Sequence, residues 1–370
     1  MRLTTAAALA ATTAFGAGAA AVAAGRHVSQ LALRPTADGV DPDPLTVHAV
    51  TGQDITLSRT LGTARRGVHG LIAAGVHATV GEVLSTAPDS VTRRLVRINR
   101  GAVAPGDHLR LTPQVHVGTP RSALGMEYQD AEIPAELGML PAWFVPGDRD
   151  AWVILAHGLG TSRELGMNLM AFLAELRLPV LAFSYRNDAG APSSWDGIGH
   201  LGDSEWRDLD AAMRYAVRHG ARRLVLHGWS TGATMVLRAA CHSPLRAQVS
   251  GMVLDSPVLD WQNTVRAAAA ARGAPRALLP LGVRAAQGRT GLHAERIADA
   301  AHPERLDVPA LIFHGPDDAL APWGPSRELA GQRPDLVTLH AVSDASHGAM
   351  WNANPSTYEE ALRRFLTPLL

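Results

Sequence analysis

Residues 222–241 read RRLVLHGWSTGATMVLRAAC. The first part is a short apolar run behind two arginines, as in a buried strand, and the last part carries small and apolar side chains without a breaker, as in a helix. Gly228, Ser230 and Gly232 stand at the junction. A strand that turns directly into a helix at a serine leaves the hydroxyl at the crest of a strained turn, and glycines two positions to either side let strand and helix approach closely. In a chain with 35 Gly the bare spacing arises by chance, so the strand-turn-helix setting gives it its weight.

The same alternation extends in both directions. Apolar runs recur at 151–158 (AWVILAHG), 179–185 (PVLAFSY), 251–256 (GMVLDS), 309–315 (PALIFHG) and 336–342 (LVTLHAV). Strands that are apolar throughout are covered on both faces. Between 205 and 219, Trp206, Leu209, Met213, Ala216 and Val217 form one helical stripe, and Asn354-Pro355 opens the final helix. GMEYQDAEIP and GMLPAWFVPG read as an antiparallel hairpin ahead of the series. Strand-helix alternation of this length implies a mostly parallel, doubly wound α/β sheet, whose chemistry gathers at the carboxyl ends of the strands.

Two later strand ends carry the partners a serine needs. A hydroxyl becomes a nucleophile when a base takes its proton, and that base must be held in one tautomer. Pro316-Asp317-Asp318 follows one strand, and Ser343-Asp344-Ala345-Ser346-His347 follows the next. His347 is the candidate base, because His314 and His340 lie inside predicted strands. The acid is Asp318, Asp317 or Asp255, the last ending the strand of LDSP. Candidate donors to a developing oxyanion are the backbone N–H of Thr231, just after the serine, and that of Leu159 in the turn His157-Gly158-Leu159-Gly160.

The stretches HGLGTSRE, YRNDAGAPSSWD, LGDSEWRD, GWSTG, LDSP and HGPDDALAP resemble the α/β-hydrolase superfamily over residues 122–370, and within it bacterial serine hydrolases of the esterase, lipase and oligopeptidase-like branch. The resemblance implies a nucleophile-acid-histidine order along the chain, met by Ser230, Asp318 and His347. The insertion at about 259–308, rich in Ala, Leu, Arg and Pro between two strands, is expected to form a small helical lid over the pocket. The family spacing favours Asp318 over its neighbours, with Gly315 before it and Pro322 after it. The implied chemistry is cleavage of a carboxylic ester or thioester through an acyl-enzyme. A serine aminopeptidase, an acyltransferase and a hydrolase-shaped binding protein are the alternatives. Trp261 and Trp351 are candidates to line the pocket.

Composition narrows the partners. Basic and acidic residues balance at 34 each, which removes the positive field a nucleic acid requires, and the expected partner is a small acyl substrate. No HExxH, P-loop or dinucleotide fingerprint occurs, so neither metal nor organic cofactor is implied. The single Cys241 allows no internal disulfide. Residues 3–24 are uncharged and Ala-rich, and 1–25 is expected to be a signal peptide or membrane anchor, implying export or membrane association. Residues 26–44, with ADGVDPDP, read as a linker. Residues 45–121 read as a small, partly β accessory region in which His69, His77, His108 and His116 lack metal-ligand spacing.

Overall fold

The computed structural model describes residues 2–34, 44–291 and 301–370, with side chains from residue 18. Helix α1 (Arg2–Leu33) comes first. Strands β1 (Leu45–Thr51), β2 (Asp54–Ser58), β3 (His69–Ala73), β4 (Val76–Thr86), β5 (Ser90–Arg100) and β6 (His108–Thr112) follow, with the short helix α2 (Leu61–Ala64) between β2 and β3. They close a barrel in the order β1-β2-β5-β4-β3-β6. Alternation supplies its core: Leu45 and Val47, Ile55 and Leu57, Ala78 and Val80, and Leu109 and Leu111 point inward.

The barrel is fastened to the rest of the chain at two places. Arg93, wholly buried, donates to the carbonyls of Thr63, Arg65 and Gly67 at 2.9, 2.7 and 2.7 Å and so shapes the loop after α2. From that loop Arg65 donates to the Asp317 carbonyl at 3.0 Å and Val68 N–H to the Asn352 carbonyl at 2.9 Å. Gly67 lies at φ 92°, and a Cβ there would sit 1.9 Å from the Asn352 carbonyl oxygen. After β6, the Pro113 carbonyl accepts from the side-chain amides of Asn168 and Asn352 at 2.9 and 2.8 Å.

Helix α3 (Pro120–Leu124) leads into an eight-stranded sheet, ordered β14-β13-β12-β11-β9-β10-β8-β7. The hairpin β7 (Gln129–Ala135) and β8 (Gly138–Val145) is antiparallel, and β8 also meets β10 antiparallel. Strands β9 (Ala151–Ala156), β10 (Val180–Phe183), β11 (Arg223–Trp229), β12 (Val249–Asp255), β13 (Ala310–His314) and β14 (Val337–Ala341) run parallel. Each of the expected apolar runs is therefore a strand. Helices α4 (Met167–Glu175), α5 (Trp206–Arg218) and α6 (Thr231–His242), with the later helices Gly324–Gln332 and Pro355–Leu366, cover the two faces.

Between β12 and β13 the chain forms α7 (Trp261–Ala271) and α8 (Leu279–Thr290), within the span expected for a lid. The end of α1 packs with them. Val28, Ala32 and Leu33 share a buried cluster with Ile198, Trp261, Val265 and Val283. The helices cross closely: a Cβ at Gly25 would lie 2.8 Å from the Leu281 carbonyl oxygen, and one at Gly282 would lie 2.2 Å from a Val28 methyl. Arg272 and the Gly199 N–H donate to carbonyls at the end of α1, closing groups that a helix leaves open. The expectation of a linker from residue 26 is thus corrected over 26–33, which are helical and half inside the lid. Val28 and Ala32 recur at i, i+4, a pattern that the turn-rich run behind them obscures. Residues 35–43, the rest of that expected linker, lie outside the described residues, as do 292–300 of the expected lid. Among the described residues, no helix is long and apolar enough to cross a membrane.

Candidate active site

Strand β11 delivers Ser230 to the carboxyl edge of the sheet, and α6 starts at the next residue. Ser230 sits at φ 53°, ψ −116°, outside the regions open to an ordinary L-residue. Its N–H donates to the Asp255 carbonyl at 2.8 Å, which holds the turn from the neighbouring strand. The flanking glycines are required sterically. A Cβ at Gly228 would lie 2.3 Å from the Gly232 carbonyl, and one at Gly232 would lie 2.1 Å from the Ala156 carbonyl oxygen. Strain of this kind persists only where the surroundings over-determine it.

The turns after β13 and β14 bring two further side chains to the same edge. Ser230 Oγ lies 2.7 Å from His347 Nε2, and His347 Nδ1 lies 2.8 Å from Asp318 Oδ2. All three side chains are buried. With Asp318 ionised and the imidazole neutral, Nδ1–H donates to the carboxylate and the serine hydroxyl donates to Nε2. Asp318 Oδ1 accepts from the N–H groups of Leu320 and Ala321 at 2.9 and 2.8 Å. Burial alone would raise this carboxyl, but His347 and His314 beside it outweigh burial and hold it below the usual carboxylate range. The contact from His314, at 3.2 Å to Oδ2, has no counterpart in the sequence reading. His314 is in turn paired with the Ser326 hydroxyl at 2.8 Å.

The other candidate acids are placed elsewhere. Asp317 turns outward, its carboxylate accepting from the Asp344 N–H at 2.7 Å and tying the acid loop to the histidine loop. Asp255 lies under the serine turn, fully buried, and burial pushes its carboxyl up to about 7. One oxygen accepts from the Ser256 hydroxyl at 2.9 Å, and the buried Tyr358 hydroxyl also interacts with the carboxyl. Ser256 Oγ also accepts from the Gly348 N–H at 2.9 Å, so this side chain steadies the loop next to His347. Sequence reasoning passed over Ser256. Its only signal is its place at the end of an inner strand.

The Leu159 N–H points at Thr231 Oγ1, 3.0 Å away, and Thr231 is the first residue of α6, where backbone N–H groups have no partner within the helix. A Cβ at Gly158 would lie 2.9 Å from Ser230 Cβ, so glycine leaves the approach to the serine open. His157 supports this turn, with Nε2 2.7 Å from Asp188 and its ring stacked on Tyr185. Above Ser230 opens a cavity of about 610 Å³, bounded by His347, Leu159, Thr231 and Trp229, by α7 of the lid, and by residues of α1 and the barrel. Trp261 and Trp351 do not line it: the first is buried in the lid cluster and the second beneath the sheet. Among the described residues no group of three or more His, Cys, Asp or Glu side chains is arranged to hold a metal ion.

Residues 151–280 match the family model described as alpha/beta hydrolase fold. The solved structure of the Pyrococcus furiosus esterase Pf2001 superposes with a TM-score of 0.56 at 22% identity, over 69% of this chain and 95% of that one. This is an α/β-hydrolase fold. An alpha-beta hydrolase from Vibrio vulnificus superposes with a TM-score of 0.50 at 18% identity, over 66% of this chain and 81% of that one. Its curated relatives include the uncharacterized protein YqkD of Bacillus subtilis, 23% identical over 60% of this chain and 72% of that protein. The uncharacterized protein YfhR of Escherichia coli K12 is 24% identical over 62% of this chain and 77% of that one. The barrel matches a second model, over residues 46–112, described as a domain of unknown function.

Proposed function

We propose that the chain is a serine hydrolase that cleaves a carboxylic ester or thioester through an acyl-enzyme, with Ser230 as nucleophile, His347 as general base and acid, and Asp318 orienting the imidazole. The observation that carries this reading is the continuous hydrogen-bonded line from Ser230 Oγ through His347 to Asp318, at 2.7 and 2.8 Å. The likeness of fold to the Pyrococcus furiosus esterase Pf2001 lends it support.

In this mechanism Ser230 Oγ attacks the carbonyl carbon as its proton passes to His347 Nε2. The tetrahedral oxyanion is met by the backbone N–H groups of Thr231 and Leu159, the latter turning from the Thr231 hydroxyl to the substrate. Collapse breaks the bond to the leaving alcohol or thiol, which takes the proton from Nε2. Water then repeats the sequence, releasing the acid and restoring the serine. Asp318 remains ionised throughout and stabilises the imidazolium. Incubation with a fluorophosphonate, followed by intact-mass and peptide analysis, tests the reading: one adduct on Ser230 supports it, and an unmodified Ser230 contradicts it.

We also propose that residues 3–24 act as a targeting segment, on the strength of their uncharged, Ala-rich run. Fractionation and amino-terminal sequencing test this. An intact chain in the cytoplasmic fraction contradicts it.

A further inference from the structure

The cavity over Ser230 combines an apolar floor with a cationic rim. Arg34 at the end of α1, Arg272 at the end of α7 and Arg110 of the barrel line it, with His27 nearby, and no carboxylate lines it among the described residues. Arg272 donates to the carbonyls of Leu31, Ala32 and Arg34 and so has a structural task. Arg110 is different. Leu109 and Leu111 on either side point into the barrel core, so alternation along β6 turns Arg110 outward, toward the hydrolase cavity. The anchoring of Pro113 by Asn168 and Asn352 fixes where that strand ends. Arg110 Nε is buried, and no hydrogen bond reaches it among the described residues. A buried donor on a charged group without a partner is costly, and at the wall of a cavity an anionic ligand can complete it. A guanidinium fork matches a carboxylate or phosphate, which it binds through paired N–H donors.

Building on the hydrolase reading above, we infer that the substrate is an ester that carries an anionic group, a carboxylate or a phosphate, and that Arg110 holds that group. The barrel then supplies substrate selection to a nucleophile that lies in the other domain.

The test compares kcat/KM for mono-p-nitrophenyl glutarate with that for its neutral counterpart p-nitrophenyl pentanoate. The wild type is expected to favour the glutarate ester. Arg110→Gln should lower the glutarate-to-pentanoate ratio by about 10- to 100-fold, the range for a lost charge-assisted hydrogen bond, chiefly through KM. Arg110→Lys should restore part of the ratio, and the thermal unfolding of each variant checks the fold. A ratio that does not change, or an equal loss on both esters, overturns the inference. A second arm needs no turnover: glutarate and glycerol phosphate are titrated calorimetrically into Ser230→Ala protein with and without Arg110→Gln. The tighter ligand identifies the anion, Arg110→Gln should weaken it by about 10-fold or more, and no binding of either overturns the inference. If Ser230 takes no fluorophosphonate while Arg110-dependent anion binding persists, the hydrolase reading fails and the anion site stands. Labelling and turnover without anion preference give the converse.

Discussion

Replacing Asp255 by Asn should change how stability depends on pH. Asp255 is fully buried at the end of β12, with the Ser256 hydroxyl on one oxygen and the Tyr358 hydroxyl also interacting with the carboxyl, and burial raises that carboxyl from 3.8 to about 7. A carboxyl raised on folding favours the native state fully below its unfolded value, and that contribution is lost as pH climbs through the folded value. The window is therefore about pH 4 to 7. Across it the wild type should lose at most about 4 kcal/mol, from 1.36 kcal/mol for each pH unit between the two values. Asn is uncharged throughout, but its amide N–H₂ replaces a carboxyl oxygen in a pocket of hydroxyl donors, which takes back about 1–3 kcal/mol. Above pH 7 the variant should be ahead by about 1–3 kcal/mol, and near pH 4 it should be behind by about 1–3 kcal/mol. Equilibrium urea unfolding at several pH values from 4 to 8 measures this. Parallel profiles for the two proteins would refute the reasoning, and a large loss of esterase activity in Asp255→Asn would move the catalytic acid to β12.

Asp318→Asn should lose on the order of 10⁴ in kcat toward p-nitrophenyl esters with the fold retained, because an amide facing Nδ1 favours the wrong tautomer. Asp317→Asn, whose carboxylate turns outward and does not meet the imidazole, should lose far less, and steady-state kinetics on the pair separates the two. A chain that begins at Gly25 keeps the α1 segment packed in the lid and should label with fluorophosphonate as the full chain does. One that begins at residue 35 removes Val28, Ala32 and Leu33 from the lid cluster. At about 1.5–3 kcal/mol for each large buried side chain, it should show a lower unfolding midpoint and slower labelling.

The strand-helix framework and the serine turn were legible because both depend on local pattern: apolar runs of strand length, and glycines where a Cβ would strike the next backbone. His347 was legible because its rivals His314 and His340 lie inside strands. Asp318 was separated from Asp317 and Asp255 only by a family spacing, since three aspartates near strand ends differ in aim and not in chemistry. The barrel's closure was not legible, because alternation identifies a half-buried strand without naming its neighbour. Nor was the docking of α1 on α8, a contact between residues 28 and 282 that depends on shape alone. Arg110 stood in a strand that showed no chemistry of its own. Its place became visible only when β6 was set beside the Ser230 cavity.

The central claim is that Ser230 is the nucleophile, and Ser230→Ala tests it most directly. The change removes one hydroxyl from a turn whose backbone is held by the Asp255 carbonyl and the neighbouring glycines, so the fold should survive. Loss of a triad nucleophile costs on the order of 10⁶ in kcat, about 8 kcal/mol of transition-state stabilisation. The wild type should gain one fluorophosphonate adduct on Ser230 and hydrolyse p-nitrophenyl esters. The variant, with an unchanged circular dichroism spectrum, should do neither. Ester hydrolysis by the folded variant at near the wild-type rate would contradict the account.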